Sequence, residues 1–75
     1  MTTSFNDLNK SGLSDDIIAR YQSTLKVRKY IQDIRQGDTF PPILLYKGTT
    51  TIADGIHRIC AYLACGITEF EFKYQ

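Results

Sequence analysis

The stretch that decides the fold is IADGIHRICAYLACG, which occupies residues 52–66. Its apolar start predicts the end of a short strand, the Asp54-Gly55 pair predicts a turn, and the residues that follow predict a helix over 56–65. Gly66 lies where many helices end, with a glycine in the left-handed conformation. Polar side chains therefore fall where a strand ends and a helix begins, and the unpaired backbone N–H groups at such a point are suited to bind an anion.

Two helices are predicted upstream of this stretch. Ser14 is a candidate N-cap for the first of them. The apolar residues here form two sets with helical spacing: Ile17, Ile18, Tyr21 and Leu25, then Val27, Tyr30, Ile31 and Ile34. The second set is rotated by roughly 145° from the first, so one straight helix cannot bury both. We therefore predict a break at Ser23-Thr24, with Thr24 capping a second helix that ends at Gly37.

Strands are predicted on both sides of the 56–65 helix. The prolines at 41–42 cannot continue a helix and lead into the apolar run 43–46, which is typical of a central strand covered on both faces. Residues 49–53 are rich in β-branched side chains and predict its hairpin partner. The alternation over 68–74 predicts a final strand, taken as an edge strand, with one buried face. The order predicts an α/β (α+β) fold: a small mixed sheet with N-terminal helices, a hairpin, a helix and a final strand.

Length and composition predict a single domain. The chain has 75 residues, of which 43% are hydrophobic. A chain of this size buries only about 60% of its unfolded surface, so its core must be compact. Residues 1–13 have few apolar anchors and are predicted to form a flexible, loosely ordered N-terminal arm or a short edge element. Residues 14–75 are predicted to form the domain itself.

The charge balance argues against bulk capture of nucleic acid. Nine basic and eight acidic residues give a formal net charge of +1. DNA binding or nuclease activity is therefore the less favoured interpretation. A local basic run could still contact phosphates or an acidic partner, or it could be a solvated helix face. Its candidate contact residues are Arg20, Lys26, Arg28 and Lys29.

The cysteines and the N-terminus predict a cytoplasmic, reducing setting. Cys60 and Cys65 would point about 140° apart on one helix, so they are not expected to pair. With a single histidine, the chain offers too few ligands for a zinc site. No apolar stretch approaches the roughly 20 residues that span a bilayer, and the polar start does not resemble a signal peptide.

The residues around the predicted turn could form a phosphate cradle. Asp54 could cap the helix, and Gly55 would let a ligand approach the backbone. Arg58 could contact an oxyanion in bidentate fashion, and His57 could donate a hydrogen bond. Each residue also has a structural alternative, since His57 could bond a neighbouring carbonyl and Arg58 could pair with Asp54.

Several of these motifs occur together in the order of a known superfamily. They are the Pro-Pro-Ile strand, the Asp-Gly turn, the His-Arg pair and the closing glycine of DGIHRICAYLACG. Over roughly residues 26–74 the chain resembles the ParB/sulfiredoxin superfamily, whose members often read D-G-x-H-R-x-x-A-x-x-x-x-G. The resemblance implies the fold of that superfamily and a bound nucleotide, ATP, CTP or ADP, with Mg²⁺.

Carried over by position, the resemblance assigns roles to four residues. Gly55, His57 and Arg58 would contact the phosphates, while Asp54 would position the turn or help to hold the metal ion. If the protein is an enzyme, the resemblance implies a nucleotide-dependent phosphotransferase or NTPase, with His57 and Asp54 as the candidate catalytic residues.

Three departures from the superfamily pattern reduce the number of functions that the resemblance supports. Ile56 stands where sulfiredoxins carry the catalytic cysteine, so this chain is not expected to be a sulfiredoxin. The serine kinases of the superfamily use an upstream glutamate as base, and the first glutamate here is Glu69. The partition proteins carry a DNA-binding helix-turn-helix downstream, and none follows before Gln75.

A second hypothesis is a catalytically inactive interaction protein. It would be a small inhibitor or adaptor, such as mobile elements encode, and would bind a protein partner through its basic helix face or an exposed edge strand. A homodimer through the predicted edge strand 68–74 is also open.

Overall fold

The computed structural model describes residues 1–10 and 13–75 of the chain. This part of the chain is a small α+β domain, as predicted, with four helices and four strands. Three helices and three strands were predicted, and the additional pair comes from the first ten residues. Its elements in chain order are β1 (Thr2–Ser4), α1 (Phe5–Asn9), α2 (Asp15–Gln22), α3 (Leu25–Arg35), β2 (Ile43–Leu45), β3 (Ile52–Asp54), α4 (Ile56–Ala64) and β4 (Glu69–Tyr74).

The four strands form one mixed sheet in the order β1-β4-β2-β3. β4 pairs antiparallel with β1 and parallel with β2, and β2 pairs antiparallel with β3. The hairpin and the interior position of β2 are confirmed. The prediction of an edge strand at 68–74 is wrong because β4 has a neighbour on each side, so it offers no free edge for a homodimer. The edges of the sheet are β1 and β3.

The N-terminal residues pack onto the domain. Thr3 lies opposite Phe70 in the β1–β4 pair, and the Leu8 side chain of α1 is only 1% exposed. Ser4 caps α1, since its Oγ accepts the N–H of Asp7 at 3.3 Å. Of the two alternatives for 1–13, the structure has the short edge element. A flexible arm is wrong for residues 1–10 because β1 covers one side of β4 and Leu8 fills the core; residues 11–12 lie outside the described part.

The helix break is confirmed, and it exposes one apolar residue that was expected to be buried. Ser14 Oγ accepts the N–H of Ile17, and Thr24 Oγ1 accepts the N–H of Val27 at the start of α3. Leu25, which the spacing assigned to the first apolar set, is 80% exposed. The reason is the break itself, since Leu25 becomes the first residue of α3 rather than the last turn of α2.

Helix α4 lies at the centre of the domain. It packs against both α2 and α3, and Ile59 and Cys60 are fully buried. Ala61 is also fully buried, because α4 contacts two helices, whereas Ala64 is exposed. The core consists of Leu8, Leu13, Ile18, Val27, Ile43, Leu45, Ile59, Cys60, Ala61, Phe70 and Phe72.

The hairpin is shorter than predicted and buries one face. Ile43 and Leu45 are buried, while Leu44 between them is only half-buried. The prediction that this strand is covered on both faces is therefore wrong. β3 begins at Ile52 rather than at Thr49, because Thr49 Oγ1 donates to Tyr46 O at 2.8 Å and forms the turn. In the described ranges, no helix is long and apolar enough to cross a membrane.

Candidate functional site

The turn into α4 requires a glycine. Gly55 is the N-cap residue, with a φ of +115°, a conformation that side chains rarely adopt. A Cβ at this position would lie 2.8 Å from Cγ2 of the buried Ile43. No side chain of the described residues caps the helix. The prediction that Asp54 is the N-cap is therefore wrong, and the first N–H groups of α4 are left for another acceptor.

Hydrogen bonds of Arg58 connect the turn to residues 41–42, which lead into β2. Its Nη1 donates to the carbonyl oxygens of Pro41 at 2.7 Å and Pro42 at 3.1 Å, and its Nη2 donates to Asp54 Oδ2 at 3.2 Å. The Arg58 side chain is 13% exposed and that of Asp54 70%. The pairing of Arg58 with Asp54, the structural alternative, is confirmed. These contacts use three of the five N–H donors of the guanidinium.

The surroundings of His57 disfavour its charged form. Its ring packs edge to face on Tyr21 of α2, with the ring centroids 5.0 Å apart. Burial lowers the pKa of His57 below its usual 6.5, and the charge of Lys26 lowers it further, against the opposing effect of Asp54. Within residues 1–10 and 13–75, the His57 side chain has no carbonyl partner. A neutral imidazole beside an open cleft can both donate and accept a hydrogen bond.

A charged cleft of about 500 Å³ opens at the start of α4. It brings together all four residues of the predicted cradle: Asp54, Gly55, His57 and Arg58. We call this hollow the charged cleft, and its lining is completed by Lys26, Tyr30, Phe40, Pro41, Pro42, Leu44 and Lys73. Three cations and one carboxylate therefore line it among the described residues.

The basic run contributes one residue to the charged cleft. Lys26 lines it, whereas Arg20, Arg28 and Lys29 are exposed elsewhere on the helices. Lys73 was not among the predicted site residues. It reaches the cleft because β4 lies beside β2, in register with Leu44. The alternation in β4 predicts its outward direction, but the sheet order that places it near the turn is a long-range feature.

A second hollow of about 440 Å³ also borders the turn. We call it the apolar groove; one wall comes from β3 and the turns at its two ends, and the other from α1, α2 and Leu13. It is lined by Leu8, Leu13, Ile17, Tyr21, Lys26, Thr50, Thr51, Ile52, Ala53, Asp54, Gly55, Ile56 and His57. The sequence did not predict it, because its two walls come from distant parts of the chain.

Few side chains at the site could hold a metal ion. The described residues contain no cluster of three or more His, Cys, Asp or Glu side chains with metal-binding geometry. Mg²⁺ on a nucleotide needs only one or two carboxylates, because the phosphates supply other ligands. Asp54 could be such a ligand once it is released from Arg58. The thiols of Cys60 and Cys65 are both free, and burial in the core raises the pKa of Cys60.

Protein-family models, curated proteins and solved structures gave no match to this chain. The resemblance to the ParB/sulfiredoxin superfamily therefore stays a prediction from the motif. The geometry of the charged cleft, described above, is independent of that resemblance.

Proposed function

We propose that the charged cleft binds a phosphate-bearing ligand and that this ligand is a nucleotide: ATP, CTP or ADP, with Mg²⁺. One observation carries the proposal. Lys26, Arg58 and Lys73 converge on a cleft that also receives the uncapped start of α4. The single carboxylate that the described residues place there, Asp54, is already paired with Arg58. The remaining charge in the cleft is positive.

The backbone of α4 and two lysines would hold the phosphate. A helix start carries a partial positive charge and unpaired N–H groups, and both favour an anion. Lys26 and Lys73 approach the cleft from α3 and β4, so the phosphate would be contacted from two sides. Arg58 would add only the N–H donors that do not bond Pro41, Pro42 or Asp54. It would therefore contribute less to the binding energy than the motif implies.

Two aromatic rings favour a nucleotide over inorganic phosphate. Tyr30 and Phe40 both line the charged cleft, and their ring centroids lie 4.9 Å apart. A base could stack on an exposed ring face, as bases do in many nucleic-acid sites. The motif's resemblance to the ParB/sulfiredoxin superfamily supports the same ligand class. Abundant nucleotides and unpaired thiols fit the cytoplasmic setting that we also propose.

If the cleft also catalyses phosphotransfer or NTP hydrolysis, the base would be His57. Its lowered pKa keeps the imidazole neutral and able to accept a proton near pH 7. Asp54 would exchange Arg58 for Mg²⁺ when the nucleotide binds. The charge would then be neutralised by the metal ion and the lysines, as phosphoryl transfer requires.

Calorimetry with ATP, CTP, GTP and ADP, each with and without Mg²⁺, tests the proposal. We expect saturable binding of at least one nucleotide, weakened roughly threefold to tenfold by Lys73→Gln or Lys26→Gln. Lys47→Gln is the matched control, since Lys47 is an exposed lysine outside the cleft. Binding of no nucleotide, or equal binding by all the variants, would overturn the proposal. Arg58→Ala is unsuited as the main variant because it also removes contacts within the fold.

A further inference from the structure

The apolar groove follows an outer edge of the sheet that residues 1–10 and 13–75 form. Its lining includes residues 50–57 in unbroken succession, and with them the whole of β3. Successive side chains of a strand point to opposite faces, so a hollow that touches all of them runs along the backbone edge. β3 is an outer strand of the sheet. We propose that this groove binds an extended, acidic peptide segment of a partner protein, which adds as a strand to β3.

The opposite wall of the groove suits apolar side chains of such a segment. Ile17 and Tyr21, from α2, are half-buried and face the groove beside the fully buried Leu8. In strand addition the backbone hydrogen bonds supply affinity, and pockets for alternate side chains supply specificity. A peptide strand on β3 would direct every second side chain toward α2. The groove therefore selects a segment with apolar residues at alternate positions.

The charge at one end of the groove selects an acidic residue. Lys26 is exposed and lines that end together with Asp54 and His57. Asp54 is paired with Arg58, and the lowered pKa of His57 disfavours its charged form. Lys26 is therefore the cation that a bound segment meets there. At the other end, Thr50 and Thr51 carry no charge. We assign the partner an Asp or Glu side chain within the segment, placed to meet Lys26.

This binding is separable from nucleotide binding. The two hollows share Lys26, but Lys73 lines only the charged cleft and Ile17 only the groove. Loss of Lys73 should leave peptide binding unchanged, and loss of Ile17 should leave nucleotide binding unchanged. Failure of one proposal is thus distinguishable from failure of the other.

Selection from a library of random peptides displayed on phage, with the whole 75-residue chain as bait, tests the proposal. We expect enriched peptides to share alternating apolar residues and one Asp or Glu. Binding of the enriched peptides, measured by fluorescence polarisation, should fall roughly tenfold with Ile17→Ser or Lys26→Glu. The matched controls are Ile67→Ser and Lys29→Glu, which alter residues outside the groove. Thermal unfolding of each variant checks its fold.

N-methylation of the peptide backbone tests the strand pairing. Because alternate N–H groups of an added strand point toward its neighbour, methylation should abolish binding at every second position. This test does not depend on any variant of the protein. The proposal is overturned if no peptide family is enriched, if the groove variants bind like their controls, or if methylation shows no alternation. A dimer in solution that Ile17→Ser dissociates would overturn it in favour of a second copy of this chain.

Discussion

The charged cleft and the apolar groove both border one turn, yet they offer different chemistry. Gly55, His57 and Lys26 line both of them. What differs is the neighbouring element, since β4 contributes Lys73 to the cleft and α2 contributes Ile17 to the groove. The turn provides a site, and the elements packed beside it determine which ligand the site suits.

The largest loss of stability should follow a substitution in the turn that both hollows share. Gly55→Ala would force an L side chain to a φ of +115° and would push its Cβ to 2.8 Å from Ile43 Cγ2. Backbone strain and overpacking together should lower the free energy of unfolding by about 3 to 4 kcal/mol. Urea denaturation followed by circular dichroism measures the loss, which should impair both hollows together.

Gly48→Ala separates the two causes of that loss. Gly48 has a φ of +76°, and a Cβ there would meet no atom within 4 Å. We expect a loss of only about 1 to 2 kcal/mol, from the backbone alone. Equal losses for the Gly48 and Gly55 variants would show that the contact with Ile43 contributes nothing.

The next largest loss of stability should follow substitution of Arg58. It tests whether this residue stabilises the fold or binds the ligand. Arg58→Ala removes three hydrogen bonds from a side chain that is 13% exposed. The unfolding free energy should fall by about 2 kcal/mol, because two backbone carbonyls lose their partner. Asp54→Asn removes only the exposed half of the ion pair and should cost less than about 0.5 kcal/mol. If Arg58→Ala weakens nucleotide binding while the urea midpoint stays unchanged, Arg58 is a ligand residue instead.

The pH dependence of stability should depend on His57. Because its pKa is lowered in the folded protein, the folded state binds the proton less readily than the unfolded state. The contribution of His57 is therefore complete above about pH 6.5 and is lost as the pH falls below that value. Urea denaturation at a series of pH values, compared between wild type and His57→Asn, should show a stability difference that shifts in favour of the variant on acidification. A constant difference would mean that His57 titrates as in the unfolded chain.

The smallest effect on stability should come from Lys26, the cation common to both hollows. Lys26→Gln replaces an exposed side chain and should change the unfolding free energy by less than about 0.5 kcal/mol. Its effect should instead appear in ligand binding, on the nucleotide and on the acidic peptide alike. Titrating the same protein sample with each ligand checks this, and a variant that loses one ligand only would show that Lys26 serves one hollow.

The features that the sequence predicts well are local. Ser14 and Thr24 cap helices because each hydroxyl accepts an N–H three residues later. The turn at Gly55 and the glycine after α4 follow from the same short-range rules. These interactions need no knowledge of the rest of the fold, so the helix boundaries could be predicted closely. The hairpin was predicted in its position, but both of its strands are shorter than expected.

The features that escaped prediction depend on partners far along the chain. Arg58 donates hydrogen bonds to carbonyls 16 and 17 residues away. Because of these bonds, part of its guanidinium stabilises the fold instead of binding a ligand. Its pairing also takes Asp54 away from the helix cap, although the spacing allowed either arrangement. Lys73 joins the charged cleft only because β4 lies between β1 and β2. No pattern within a single element carries that information.

The central place of β4 has a consequence for biosynthesis. A ribosome delivers the chain from its N-terminal end at about 5 to 20 residues per second. β1 is made before the other strands. Among the strands of the described residues its neighbour is β4, which also joins β1 to the β2–β3 hairpin. Until β4 emerges, helices and a lone hairpin can form, but no sheet unites them. The domain therefore completes its fold only after its last strand has been made, and interruption of synthesis before residue 69 leaves a nascent chain with an uncovered core.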